Sequence, residues 1–220
     1  VYFLHNKNEK ELLDENKLEI FLNKTIGFVW GYAFTNPGVN ALRTPVYAEM
    51  IKVVTDKDVN FDEHKFEENS LKTAINNFEF KNGRPITRSL LTWWAFNNSN
   101  QTIPTLNTNF DIEHIFARKR QENDKTLINI KNLEAIGNKA LLEDKINIRA
   151  ADYRFIDKIK YYRGFTNDKG QHKEGTIILE LVNIATNNTD FTEQNITNRT
   201  EEITSEFINY LTQNNLIRQN

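Results

Sequence analysis

Phe110-Asp111-Ile112-Glu113-His114-Ile115-Phe116 alternates polar and apolar side chains with the period of two that a short β-strand produces. Basic Arg118-Lys119-Arg120 follows at once, and a polar loop leads on to about Ile130. Gly137-Asn138-Lys139-Ala140-Leu141-Leu142 then reads as a glycine turn entering a second short strand. Asn147 comes next, before a helix with Phe155, Ile156, Ile159 and Tyr162 on one face. The order is strand, loop, strand, helix.

The residue types in this stretch suit phosphodiester hydrolysis, which needs a base for the attacking water and a cation to offset charge on the phosphoryl and leaving oxygens. Imidazole titrates near neutrality, so His114 qualifies as the base, while Glu113 is a hard oxygen ligand fit for Mg²⁺ or Mn²⁺. An amide oxygen from Asn147 would complete a sparse one-metal site, and Asp111, on the face of Glu113, is a reserve ligand. In an ideal strand Glu113 and His114 point to opposite faces, so this site requires the strand to end or bend at His114. Arg118, Lys119 and Arg120 beside the histidine, with Arg149, Arg154 and Lys158 on and before the following helix, are candidates for nucleic-acid phosphate contacts.

Asp111-Ile112-Glu113-His114-Ile115, Gly137-Asn138-Lys139-Ala140-Leu141-Leu142 and Lys145-Ile146-Asn147, with Phe155 and Lys158 downstream, resemble the HNH nuclease domain at the C-terminus of GmrSD-type restriction proteins. Phe191 to Leu211, with Ile196, Arg199 and Ile203, is similar to that domain's closing helix. The resemblance implies His114 as general base, Glu113 and Asn147 as metal ligands, and Asn138 as the middle asparagine that fixes the loop or orients the histidine. It also implies an α+β fold, predominantly helical, in which a helical N-terminal half precedes a ββα-metal core with extra helices. The expected activity is Mg²⁺- or Mn²⁺-dependent endonuclease cleavage of DNA, in a restriction or anti-phage setting. One departure is plain: the family usually has proline, often then glutamine, shortly after the histidine-isoleucine step, where Phe116-Ala117 stand here.

Outward from this block the chain changes character. Between Lys10 and about Phe34, Leu12, Leu13, Leu18, Ile20, Phe21, Ile26, Val29 and Trp30 recur at helical spacing. A further helix begins near Pro45, and Phe61, Phe66, Leu71, Ile75 and Phe78 continue the helical pattern. Ile86, Leu90, Leu91, Trp93, Trp94 and Phe96 fit one buried helix, in which the tryptophans read as core rather than as a base-stacking platform. His5 and His64 stand in polar surroundings that a solvated surface explains. The polar run from Asn97 to Asn109 suggests a division into a helical scaffold or connector, 1–104, and a nuclease domain, 105–220. Gly164 to Gly175 reads as a polar turn region, Thr176–Ile184 as helix or strand, and Glu193–Leu211 as a closing helix.

Composition narrows the function further. The 220 residues include no cysteine, which removes disulfides and thiol nucleophiles, so a metal must be held by oxygen or imidazole. A net charge of −2 argues against a generally basic nucleic-acid coat, so phosphate contacts must be local. No apolar run approaches the length needed to span a bilayer, no signal peptide is evident, and cytoplasmic residence is the default. A start at Val1 within a helical pattern suggests a fragment. In GmrSD-like proteins the N-terminal portion supplies nucleotide-linked and sensing functions, a partner this chain would then lack. The competing readings are a catalytically weak nucleic-acid-binding or assembly module and an RNA-directed nuclease.

Overall fold

A computed structural model describes residues 2, 14–38, 40–55, 57–151 and 154–219. His5, Leu12 and Leu13 lie outside the described residues. The chain is α+β and predominantly helical: among the described residues, nine α-helices accompany two two-stranded sheets. Two compact units divide it, Val1–Phe78 with Thr204–Asn220, and Glu79–Ile203. Pro104 and Thr105, at the suggested division, both fall in the second unit. No helix among the described residues is long and apolar enough to cross a membrane.

In the first unit, helix α1 (Glu15–Thr35) begins where the Asp14 carboxylate accepts from the Lys17 amide at 3.0 Å, which satisfies one of the free amides of the first turn. Helices α2 (Arg43–Val54) and α3 (Glu68–Asn76) follow. Gly31 is required on α1, because a Cβ there would lie 2.6 Å from the Phe66 ring. The helical pattern of Phe61 to Phe78 is only partly realised. Phe66 exchanges backbone hydrogen bonds with Leu216 and Arg218, an extended pairing that delays the helix until Glu68, where the Glu67 carboxylate caps Asn69 and Ser70. Phe61 takes a left-handed backbone (φ 51°) and stacks on Phe28 at 3.8 Å. His64 is half-buried against the rings of Phe28 and Tyr32 rather than simply solvated.

The second unit holds α4 (Pro85–Phe96), β1 (Phe110–His114), α5 (Arg118–Asp124), β2 (Lys139–Glu143), α6 (Asp144–Ala150) and α7 (Phe155–Arg163). A small hairpin of β3 (Phe165–Thr166) and β4 (His172–Lys173), α8 (Leu179–Asn187) and α9 (Glu193–Gln213) complete the chain. The last helix begins in this unit and ends in the first. Strands β1 and β2 pair antiparallel in the register Phe110↔Glu143 to His114↔Lys139, and the ladder continues as the Ile115 amide donates to the Asn138 carbonyl at 3.0 Å. Helix α6 packs on both strands and α4 packs on β2. Lys139, Ala140, Leu141 and Leu142 are consequently all buried, although they point alternately to two faces.

Three local expectations change. The loop after His114 contains α5, a short helix without an apolar stripe to announce it. Residues Thr176 to Ile178 are neither helix nor strand, and α8 begins only at Leu179. On α4, Thr87, Leu90, Leu91 and Ala95 form the buried face, while Trp93 and Trp94 flank it half-buried. The Trp94 indole N–H donates to the Glu180 carboxylate at 2.5 Å.

Candidate functional site

The end of the β1–β2 hairpin is held in place by groups that reach it from every side. Asn138 is fully buried: its Oδ1 accepts from the Phe116 amide at 2.7 Å, and its Nδ2 donates to the Phe116 and Leu133 carbonyls. It ties two loops together through backbone groups. Its neighbour Gly137 has no alternative, because a Cβ there would fall 2.1 Å from the Ile196 carbonyl. Arg199, buried on α9, donates to the carbonyls of Ile136, Gly137 and Lys139 and pairs with Glu180 through two nitrogens.

Alternation along β1 sends Glu113 and His114 to opposite faces. The bend that would bring them together is absent, because β1 keeps its pairing through His114↔Lys139. Glu113 is 4% exposed, and its Oε1 accepts from Lys158 Nζ and the Tyr162 hydroxyl, each at 2.6 Å. Lys158 also donates to the His114 carbonyl at 2.6 Å. Burial, and then the Glu113 charge, push the Tyr162 hydroxyl well above its usual range. Lys158, expected among the phosphate-contacting residues, is therefore 1% exposed and spent on Glu113 and the strand end.

The His114 ring faces a different set. Its Nε2 lies in short contact with Lys139 Nζ, 3.2 Å from Arg118 Nε and 3.4 Å from Glu134 Oε1. Glu134 ends a 3₁₀ turn (Ile130–Glu134) and bridges both cations, Arg118 Nη2 at 2.5 Å and Lys139 Nζ at 2.8 Å. Lys139 donates besides to Asn82 Oδ1 at 3.0 Å. Burial, reinforced by the Lys139 charge, lowers the His114 pKa to about 3, so the ring is neutral at physiological pH. Burial lowers the Lys139 pKa to about 8, with Glu134 opposing that shift. For Glu134, burial raises the carboxyl pKa, but hydrogen bonding and charge from Lys139, with His114 and Arg118, outweigh it and leave a net lowering.

This environment has a measurable consequence. A histidine whose folded pKa of about 3 lies below the ordinary 6.5 contributes stability in full above pH 6.5, and that contribution is lost as the pH falls toward 3. The slope is at most about 1.4 kcal/mol per pH unit. Urea unfolding midpoints should therefore decline between pH 6.5 and 4.5, before most carboxylates titrate, and His114→Gln should flatten that window. An unchanged slope in the variant would show that His114 is not the titrating group.

The remaining basic candidates disperse. Arg118 is half-exposed at the His114 ring, and Lys119 is exposed beside Glu122. Arg120 turns away: it pairs with Asp190 at 2.6 and 2.8 Å and lies over the Phe116 ring, so it has little left for phosphate. Arg149 donates to the Glu174 and Lys145 carbonyls, and Arg154 pairs with Asp124. Composition and spacing did not single out Lys139, Glu134, Asn82 or Tyr162. A lysine in the run after Gly137-Asn138 was the one visible signal, since a charge at the head of a buried strand needs a partner.

The ligand set expected for Mg²⁺ or Mn²⁺ is not brought together. Glu113 is satisfied by an ammonium, and Asn147 Nδ2 meets Asp111 Oδ2 at 3.4 Å. Asp111 stands three residues before His114, about 10 Å at the rise of a strand. Among the described residues, no group of three or more histidine, aspartate or glutamate side chains could hold a metal ion. The residues present do not fit such an ion in this arrangement.

A hairpin whose end gathers an imidazole, two cations and a carboxylate belongs to a chain whose class its relatives define. A family model for the C-terminal domain of GmrSD restriction endonucleases matches residues 65–206. The chain therefore belongs to the family formed by the C-terminal domains of GmrSD restriction endonucleases. No curated protein and no solved structure matches the chain.

Proposed function

We propose that the chain is an endonuclease module that hydrolyses DNA phosphodiesters with His114 as general base, at a reacting centre of the HNH type built on the β1–β2 hairpin. The observation that carries this reading is the His114 imidazole, slightly exposed at the end of β1 and flanked at Nε2 by Lys139 and Arg118. In the free protein, burial, and after it the Lys139 charge, hold the imidazole's basicity far below neutral. A bound phosphate that takes up the charge of Lys139 and Arg118 would restore it as the acceptor of the water proton, while the same cations offset the charge that builds on a phosphoryl oxygen in the transition state. Lys139 and Arg118 orient and neutralise the phosphate. Asn138 and Arg199 hold the loops on which these groups stand, and Lys158 fixes the strand end through Glu113 and the His114 carbonyl.

The test is supercoiled plasmid incubated with the chain in buffers containing Mg²⁺ or Mn²⁺. Nicked and then linear products are expected, and no cleavage under any of these conditions would sink the reading. Because Glu113 is held by Lys158, the free protein should bind these ions weakly. Calorimetric titration with Mn²⁺ should show no site tighter than roughly 10⁻⁴ M. A micromolar site would mean that a cage is assembled after all.

A further inference from the structure

We propose that the Glu134 carboxylate occupies the position at which the His114 centre receives a phosphate, so that the free protein carries its own anion where a DNA strand must bind. This inference rests on the nuclease reading. Each of the two carboxylate oxygens meets its own cation: Oε1 lies 2.5 Å from Arg118 Nη2, and Oε2 lies 2.8 Å from Lys139 Nζ. A phosphodiester offers two non-bridging oxygens and a single negative charge, so it can replace the carboxylate oxygen for oxygen and charge for charge.

Which nitrogen Glu134 faces separates this role from an orienting one. A carboxylate that orients a general base bonds the ring nitrogen opposite the working one. Glu134, Lys139 and Arg118 all converge on Nε2, on the same side of the ring. Arg118 and Lys139, the cations available to a phosphate at this ring, stand on that same side, so Glu134 occupies the side from which the phosphate must come. Lys139 is 0% exposed and cannot stay charged there without an anion, which explains why the place is filled in the free protein. The Glu134 side chain is 18% exposed and lines an open groove with Arg118, Lys125 and Leu133, so it is reached from solvent. It also stands at the end of a short 3₁₀ turn, so a change of side-chain rotamer would release it without unwinding an α-helix.

Glu134→Gln removes the resident charge while keeping the shape. Binding of a fluorescein-labelled duplex oligonucleotide should become several-fold tighter at constant salt, and cleavage at sub-saturating DNA should accelerate. The free variant should melt at a lower temperature than wild type, because Lys139 has lost its counterion. Inorganic phosphate or the duplex should raise its melting temperature more than that of wild type. A purely structural Glu134 would give the lower melting temperature without that recovery, and unchanged or weaker DNA binding would overturn the proposal. So would abolished cleavage with unimproved binding, which would make Glu134 part of the working machinery. Should Glu134→Gln not fold, Glu134→Asp keeps the charge but is too short to span both cations, and it must still bind the duplex more tightly than wild type does. Tighter binding with no cleavage by any form would uphold the anion site while removing the nuclease reading.

Discussion

Replacing His114 with alanine is expected to slow DNA cleavage by about 10²- to 10⁴-fold, the usual worth of a general base. The fold should survive the change. Glu113, on the opposite face, keeps Lys158 and Tyr162, and Lys158 keeps the backbone carbonyl of residue 114, which the substitution does not touch. Lys139 retains Glu134 and Asn82. Circular dichroism and urea unfolding of the variant should accordingly stay close to wild type while the cleavage rate collapses. A large loss of stability alongside the loss of rate would instead give His114 a structural role.

Lys158→Met is expected to do the reverse, destabilising the protein by about 3–5 kcal/mol, the cost of leaving one partner of a buried ion pair uncompensated. Domains of this size are stable by only about 5–15 kcal/mol, so much of the variant would unfold on mild heating. The reason lies in Glu113, a carboxylate 4% exposed that would keep the Tyr162 hydroxyl but lose its ammonium. Adding Glu113→Gln to Lys158→Met should recover much of the loss, because the uncompensated charge is then gone. If Lys158 were a surface phosphate contact, as its sequence context suggests, stability would hold and only DNA affinity would fall.

The two strands and the helices after them were legible because their signals are local. Alternation marks Phe110 to His114, Gly137 fixes the entry to β2, and helical spacing marks α7 and α9. The order of the three blocks pointed to His114 and Asn138, and the structure places both at the same end of the strand pair. What could not be read was pairing across the fold. Nothing in the sequence says that Lys158 reaches back 45 residues to Glu113, or that the register sets His114 opposite Lys139. Both facts depend on how helix and hairpin pack, and both redirect the expected chemistry. Glu113 becomes a partner of lysine rather than a free ligand, and the basic run contributes Arg118 to the His114 ring while Arg120 goes to Asp190. The bridge from the fully buried Lys139 to Glu134 could not be read for the same reason, since a lysine at the head of a strand and a glutamate five residues earlier, at the end of a 3₁₀ turn, form no recognisable pattern.

The measurement that bears most directly on His114 as the base is chemical rescue. The alanine variant leaves a ring-sized space at a slightly exposed position, so added imidazole can enter it and take the proton in place of the missing side chain. Plasmid cleavage by His114→Ala should rise with imidazole concentration, whereas wild type should show no such gain. Cleavage by His114→Ala at the wild-type rate without imidazole would contradict the assignment and move the reacting centre away from the end of β1.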